Sequence, residues 1–452
     1  MTVEARLAPE GREATGRALL PFASADDALR GDVTISPYVQ PLGGAWQMKV
    51  ISGRDLYAFQ ANSDDGWSET NLPMSSAVAG NVAVLRRTFK RPFVWDDREV
   101  FLHLEGVGAP YELYVGDKRC GYNPSPGPGA DFDVTRLAVE GNNTVTLVLH
   151  NDSPQESALS PRLTVEGAIH AFSQPRVRVR DVDAGATILE GSGLFNLGVI
   201  MQSHLLGPRR TEVYYELRDQ AGTVVASAHR SVTLSMRQSD TVRFFARVPQ
   251  VKAWSVAAPN LYTLLVKTQY EGRYGECLAM PVGFRNVEVR GGKLLINGEQ
   301  IALASASFKP TGDQTVDEAR LRELRGQGTN IVRLSGSAST AFYTTCDRVG
   351  ILVCAQADVV ARREGAIDTA GDPALEPWIT DRVMTMYNAS KSHPSVVMFS
   401  LGEGSANGYN LYRTYLALRR VEKVRPISFS GAGGEWNSDT SSDGSFSRLI
   451  FK

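Results

Sequence analysis

Up to about residue 290 the chain alternates apolar and polar positions over short runs, each closed by Gly, Pro, Asn or Asp. Residues 83–89, 99–104 and 144–149 show this period of two, the mark of half-buried strands whose side chains point alternately to core and solvent. Such runs in series predict an antiparallel sandwich over residues 40–175. The preceding residues 1–39, richer in Ala, Gly, Arg and Glu, read as a partly extended N-terminal arm. Alternation returns at 211–217 and 241–248, within a segment, 176–290, whose length suits an immunoglobulin-like sandwich.

From Lys293 the period changes. A short run at 300–305 predicts the first strand of a further domain, 291–452. A helix follows over 316–326, with Leu321 and Leu324 on one face. Strands are then expected at 329–334, 351–355, 396–401 and 427–430, alternating with helices at 338–349, 377–391 and 410–424. Strand and helix in strict alternation mean parallel βα units. In a barrel of such units the loops after the strands form the active face, so Ser305, Arg333, Asp358 and residues 402–405 are expected on one rim.

Composition narrows the classes. With 452 residues the chain exceeds one ordinary core, and 42% hydrophobic against 21% charged residues is a globular balance. Lys and Arg number 48 and Asp and Glu 49, so no net field selects nucleic acid or an anionic membrane. No run approaches the ~20 apolar residues of a membrane span, and the first residues show no apolar signal segment, which predicts a soluble protein. Cys120, Cys277, Cys346 and Cys354 lie in unrelated segments without CxxC spacing; free thiols are expected, with no disulfide framework, metal or cofactor.

Several strings resemble glycoside hydrolase family 2, the β-galactosidase and β-glucuronidase family. They include Tyr111-Glu112-Leu113-Tyr114-Val115-Gly116, Asp131-Phe132-Asp133-Val134-Thr135, Val282-Gly283-Phe284-Arg285, Leu295-Ile296-Asn297-Gly298-Glu299, Asn330-Ile331-Val332-Arg333, and Ser392-His393-Pro394 leading into Ser400-Leu401-Gly402. The resemblance implies a jelly-roll sandwich, an immunoglobulin-like sandwich and a TIM-type (β/α) barrel, here incomplete. It also implies exo-glycosidase chemistry, in which retaining enzymes need two carboxyl groups, one as acid/base and one as nucleophile.

The resemblance breaks where that chemistry would sit. The family's Ser-Leu-Gly-Asn-Glu-Ser string reads Ser400-Leu401-Gly402-Glu403-Gly404-Ser405, which puts Gly404 in the acid/base register and Glu403 in that of the Asn. Glu403 is the one acid/base candidate. The family's nucleophile belongs to a seventh strand that this sequence is not expected to contain, and Glu435 reads as a solvated turn residue. In the loops after the first three strands, at 305–310, 335–338 and 355–358, the family's acidic and imidazole groups, Asp358 aside, are exchanged for small or neutral ones. Arg333, Asp358, Glu403 and Ser405 remain as a vestigial pocket. The sugar-site loop of relatives is replaced by residues 151–158.

An open sheet of five strands, or six if residues 448–451 pair, would leave edges and an apolar interior to be covered by the sandwiches, the arm, a second copy or another protein. Three functions are compatible: a pseudoenzyme acting as an interaction or structural subunit, an active exo-glycosidase, or a carbohydrate-binding protein using Trp46, Trp67, Trp95, Tyr111 and Tyr114 as platform.

Overall fold

The computed structural model describes residues 9–16, 19–51, 66–76, 82–124, 129–150, 163–361, 368–441 and 445–446. The loop at 151–158 and the possible strand at 448–451 lie outside them.

The first sandwich packs a five-stranded sheet on a six-stranded one. Strands Val82–Arg91, Gly141–Leu149 and Tyr111–Val115 form the middle of the larger sheet, and Arg98–Leu104 the centre of the smaller. Trp46, Trp95, Phe89, Tyr111 and Phe132 fill the space between. In the second sandwich, a three-stranded sheet with Val177–Leu189 and Ser192–Ser203 faces a four-stranded one around Phe195, Tyr215 and Phe244. Alternating apolar positions are what let each strand bury one face against the opposite sheet.

The N-terminal stretch, expected as an extended arm, is tied into both sandwiches. Arg12–Gly16 adds a strand beside Gly129–Asp133, and the buried Arg12 pairs with Asp381 on a barrel helix. Helix Ala25–Arg30, capped by Ser24, packs Ala28 with Phe22, Leu265 and Cys277 of the second sandwich.

The last segment is a parallel sheet of five strands in chain order: Ser305–Phe308, Ile331–Leu334, Leu352–Gln356, Val396–Ser400 and Ile427–Ser428. Helices Gln314–Gly326, Thr340–Val349, Glu376–Ser390 and Tyr409–Val421 follow the first four strands. Their apolar faces meet the outer side of the sheet around Leu321, Tyr343, Val383, Phe399 and Tyr415. One expectation fails: the first barrel strand is not at 300–305. Glu299–Gln300 belongs to a hairpin, and Ile301 and Leu303 pack with Leu294 and Ile296 beneath the barrel, so the strand starts at Ser305. An apolar run in sequence does not say which core it serves.

That hairpin answers part of the question of cover. Together with Trp254 and Phe446 it closes the floor of the barrel interior against Ile331, Leu352, Cys354, Val397 and Met398. The fifth strand is met by Ser438 and Asp439: the Asp439 N–H donates to the Ile427 carbonyl (2.7 Å), and its carboxylate accepts from the Ile427 N–H (2.6 Å).

Polar links fix the domains to one another. The buried Glu105 carboxylate of the first sandwich accepts from the Thr340 N–H (3.1 Å) at the start of a barrel helix, where the helix dipole favours an anion. Arg285, leaving the second sandwich, donates to the carbonyls of Pro394, His393 (3.2 Å) and Val396 (2.7 Å). The Trp254 indole donates to the Asp347 carbonyl (2.9 Å), while the fully buried Asp347 carboxylate accepts from His393 Nδ1 (2.6 Å) and the Ser395 N–H (2.9 Å).

Asp347→Ala would leave the His393 ring N–H and the Ser395 N–H buried and unpaired, and is expected to lower stability by about 3–5 kcal/mol, measured by urea unfolding. In the first sandwich, burial would raise the Glu112 carboxyl. Hydrogen bonds from His150 and Tyr114, with the His150 and Arg119 charges, outweigh it and hold the group at about 2. Its stabilisation is complete above the ordinary value of 4.5 and lost as pH falls toward about 2. Glu112→Gln should therefore flatten the fall in melting temperature over that acid window.

Candidate active-site rim

Side chains of the inner face alternate with those of the outer core along each barrel strand. Register places Ser307 beside Arg333 and Arg333 beside Cys354; nearer the rim, Gln356 neighbours Ser400 and Ser400 neighbours Ser428. Arg333 is exposed on this inner face. Burial pushes the Cys354 thiol up to about 11, with Arg333 drawing it down and Glu403 pushing it further up. Both charges are thus within electrostatic reach of the barrel interior.

The other expected pocket residues are engaged elsewhere. Asp358 follows the third strand, but its carboxylate accepts from Arg382 (3.0 Å), which emerges from helix Glu376–Ser390 and lies over the Trp378 ring. Ser405 is buried in the wall: its hydroxyl accepts from the Ala361 N–H (2.9 Å) and donates to the Val359 carbonyl (3.1 Å). With the Ala406 N–H donating to the Ala361 carbonyl (2.7 Å), these bonds zip the loops after the third and fourth strands together. Ser305, expected on the rim, opens the first strand and so sits at the opposite end.

The turn after the fourth strand depends on two glycines. Gly402 has φ +135°, and a Cβ there would stand 2.3 Å from the Val359 carbonyl oxygen. Gly404 has φ +68°, and a Cβ there would meet nothing within 4 Å, so this position borders open space. Glu403 between them is exposed. Glu435 is exposed in the loop after the fifth strand and accepts from the Tyr412 hydroxyl, while Trp436 stacks on Tyr412 at 5.3 Å.

Residues 177–285 match the model for glycosyl hydrolases family 2, and residues 287–449 match that for glycosyl hydrolases family 2, TIM barrel domain. The chain belongs to glycosyl hydrolases family 2. A β-galactosidase of Priestia megaterium is 22% identical over 473 residues, covering 91% of this chain and 46% of that protein. One from Vibrio vulnificus strain CMCP6 is 24% identical over 465 residues, covering 91% and 44%. This family-2 chain therefore spans about half the length of the curated relatives it matches. Among solved structures, a β-glycosidase from Bacteroides vulgatus superposes with TM-score 0.77 at 17% identity, covering 89% of this chain and 55% of that one. Bacteroides uniformis β-glucuronidase gives TM-score 0.75 at 14% identity, covering 86% and 52%. At such identities the structures share the fold.

Sequence reasoning named Arg333 and Glu403 as rim residues, but missed Gln356, Ser400 and Ser428 on the same inner face. The signal was present: in a parallel strand, every second residue back from the rim faces inward. The turn geometry gives a contrast that thermal unfolding can measure. Gly404→Ala, strained only by its φ, should cost about 1 kcal/mol. Gly402→Ala, which also collides with Val359, should cost more than about 3 kcal/mol.

Proposed function

We propose that this family-2 chain is a non-hydrolytic scaffold, an interaction or structural part rather than a glycosidase. The supporting observation is Gly404, which occupies the register of the family's acid/base residue and bears no ionisable group. A retaining glycosidase needs a carboxylic acid to protonate the leaving oxygen and a second carboxylate about 5 to 5.5 Å away. Asp358, bound to Arg382, and Ser405, bonded into the wall, already have protein partners.

Glu403 is the residue on which the opposite reading, an active exo-glycosidase, would depend, because it is exposed one position before Gly404. A sugar platform on the first sandwich has less support: Trp46, Trp95, Tyr111 and Tyr114 are each no more than 2% exposed, and Trp67 is covered by the Arg86 guanidinium at 3.9 Å. These aromatics are spent on the core and its cover.

The test is turnover of aryl β-galactosides and β-glucuronides by the whole protein. The expected rate equals that of buffer and is the same in Glu403→Gln. Turnover in the parent that falls by about 100-fold or more in Glu403→Gln would replace the scaffold reading with catalysis by Glu403.

A further inference from the structure

We infer that Glu99, Asp133 and His204 form a binding site for one divalent transition-metal ion at the seam between the two sandwiches. Glu99 lies near the start of strand Arg98–Leu104 and Asp133 ends strand Gly129–Asp133, both in the first sandwich. His204 follows strand Ser192–Ser203 of the second. One potential ligand atom from each lies within 4.8 Å of the other two.

The surrounding bonds hold these groups in place and leave them ligand capacity. Asp133 Oδ1 accepts from the Thr135 N–H (3.0 Å) and hydroxyl (2.6 Å), and Oδ2 remains. The Thr135 hydroxyl in turn accepts from the N–H of Val100 (2.9 Å), which keeps the Asp133 turn next to Glu99. The His204 N–H donates to the Arg176 carbonyl (2.7 Å), fixing the backbone, while its side-chain Nε2 is shielded from solvent with no hydrogen-bond partner. Glu99 is 7% exposed, and the cation beside it is Arg176, whose Nε is 3.8 Å away and also 3.3 Å from Asp97.

Two neighbouring carboxylates, one of them buried, and an imidazole whose Nε2 has no hydrogen-bond partner are a set that a dication satisfies at once. It neutralises the like charges and accepts the nitrogen lone pair. The nitrogen favours zinc over calcium and magnesium, which take oxygen ligands. Three protein ligands leave a position for water. Metal bonds of about 2.0–2.2 Å require the trio to draw slightly inward, and Arg176 to yield its place beside Glu99. The bound ion would staple the first sandwich to the second. Cysteine spacing could not reveal this site, because it uses no thiolate and its three residues come from separate segments.

Titration of chelator-stripped whole protein with Zn²⁺ by calorimetry tests the assignment, with Co²⁺ absorption reporting the ligand field. One equivalent should bind with a micromolar dissociation constant and raise the melting temperature, while Ca²⁺ at the same concentration does not. Both His204→Gln and Asp133→Asn should weaken Zn²⁺ at least ~10-fold. Asp133 is exposed, and Asn preserves its bonds to Thr135, so that variant remains informative if the His204 change impairs folding. Absence of saturable binding up to about 1 mM, or one-equivalent binding unchanged in the folded variants, would overturn the site.

Discussion

Asp347 joins three parts of the molecule through one peptide unit and one carboxylate. Its carbonyl receives the Trp254 indole from the second sandwich, and its carboxylate receives His393 and Ser395 from the turn before the fourth barrel strand. Because the side chain is fully buried, none of these groups can exchange its bond for water. Arg285 reinforces the same turn by donating to three of its carbonyls. The fourth strand, and so the position of residues 402–405, is set from below by this seam.

From above, the rim is set by short bonds between loops. Ser405 and Ala406 fasten the loop after the fourth strand to that after the third, and the absence of a Cβ at Gly402 permits the close approach to Val359. Glu403 is thereby left on the open side, with Arg333 on the same inner face. The turn is held by these bonds, and Glu403 is its exposed carboxylate. The packing strings of family 2 and the chemistry of family 2 draw on different residues: the former depend on apolar volume and buried polar pairs, the latter on two carboxyl groups at particular positions.

Polar groups cross the domain seams at several points. Glu105 on the Thr340 N–H, Arg12 on Asp381 and Lys391 on Asp181 (2.9 Å) each cross a boundary between domains. Buried or half-buried charges of this kind fix one relative placement, since any shift leaves a charge unpaired. The proposed metal trio lies in the same kind of seam.

Most of the architecture was legible in the sequence because it is local. A period of two buries one face of a strand and a longer period one face of a helix, so strands such as Val82–Arg91 and helices such as Thr340–Val349 announce themselves. The glycines at 402 and 404 were equally legible, being a matter of residue identity in a string. Long-range packing decided the rest. It assigned Ile301 and Leu303 to the barrel floor and moved the first strand to Ser305. It turned Asp358 toward Arg382 and brought Glu99, Asp133 and His204 together. Sequence alone determined which segments had a face to bury and that glycines flank Glu403. Only the tertiary structure decided which faces met, because a buried polar group takes the partner that chain closure brings within about 3 Å, and local periodicity carries no record of that closure.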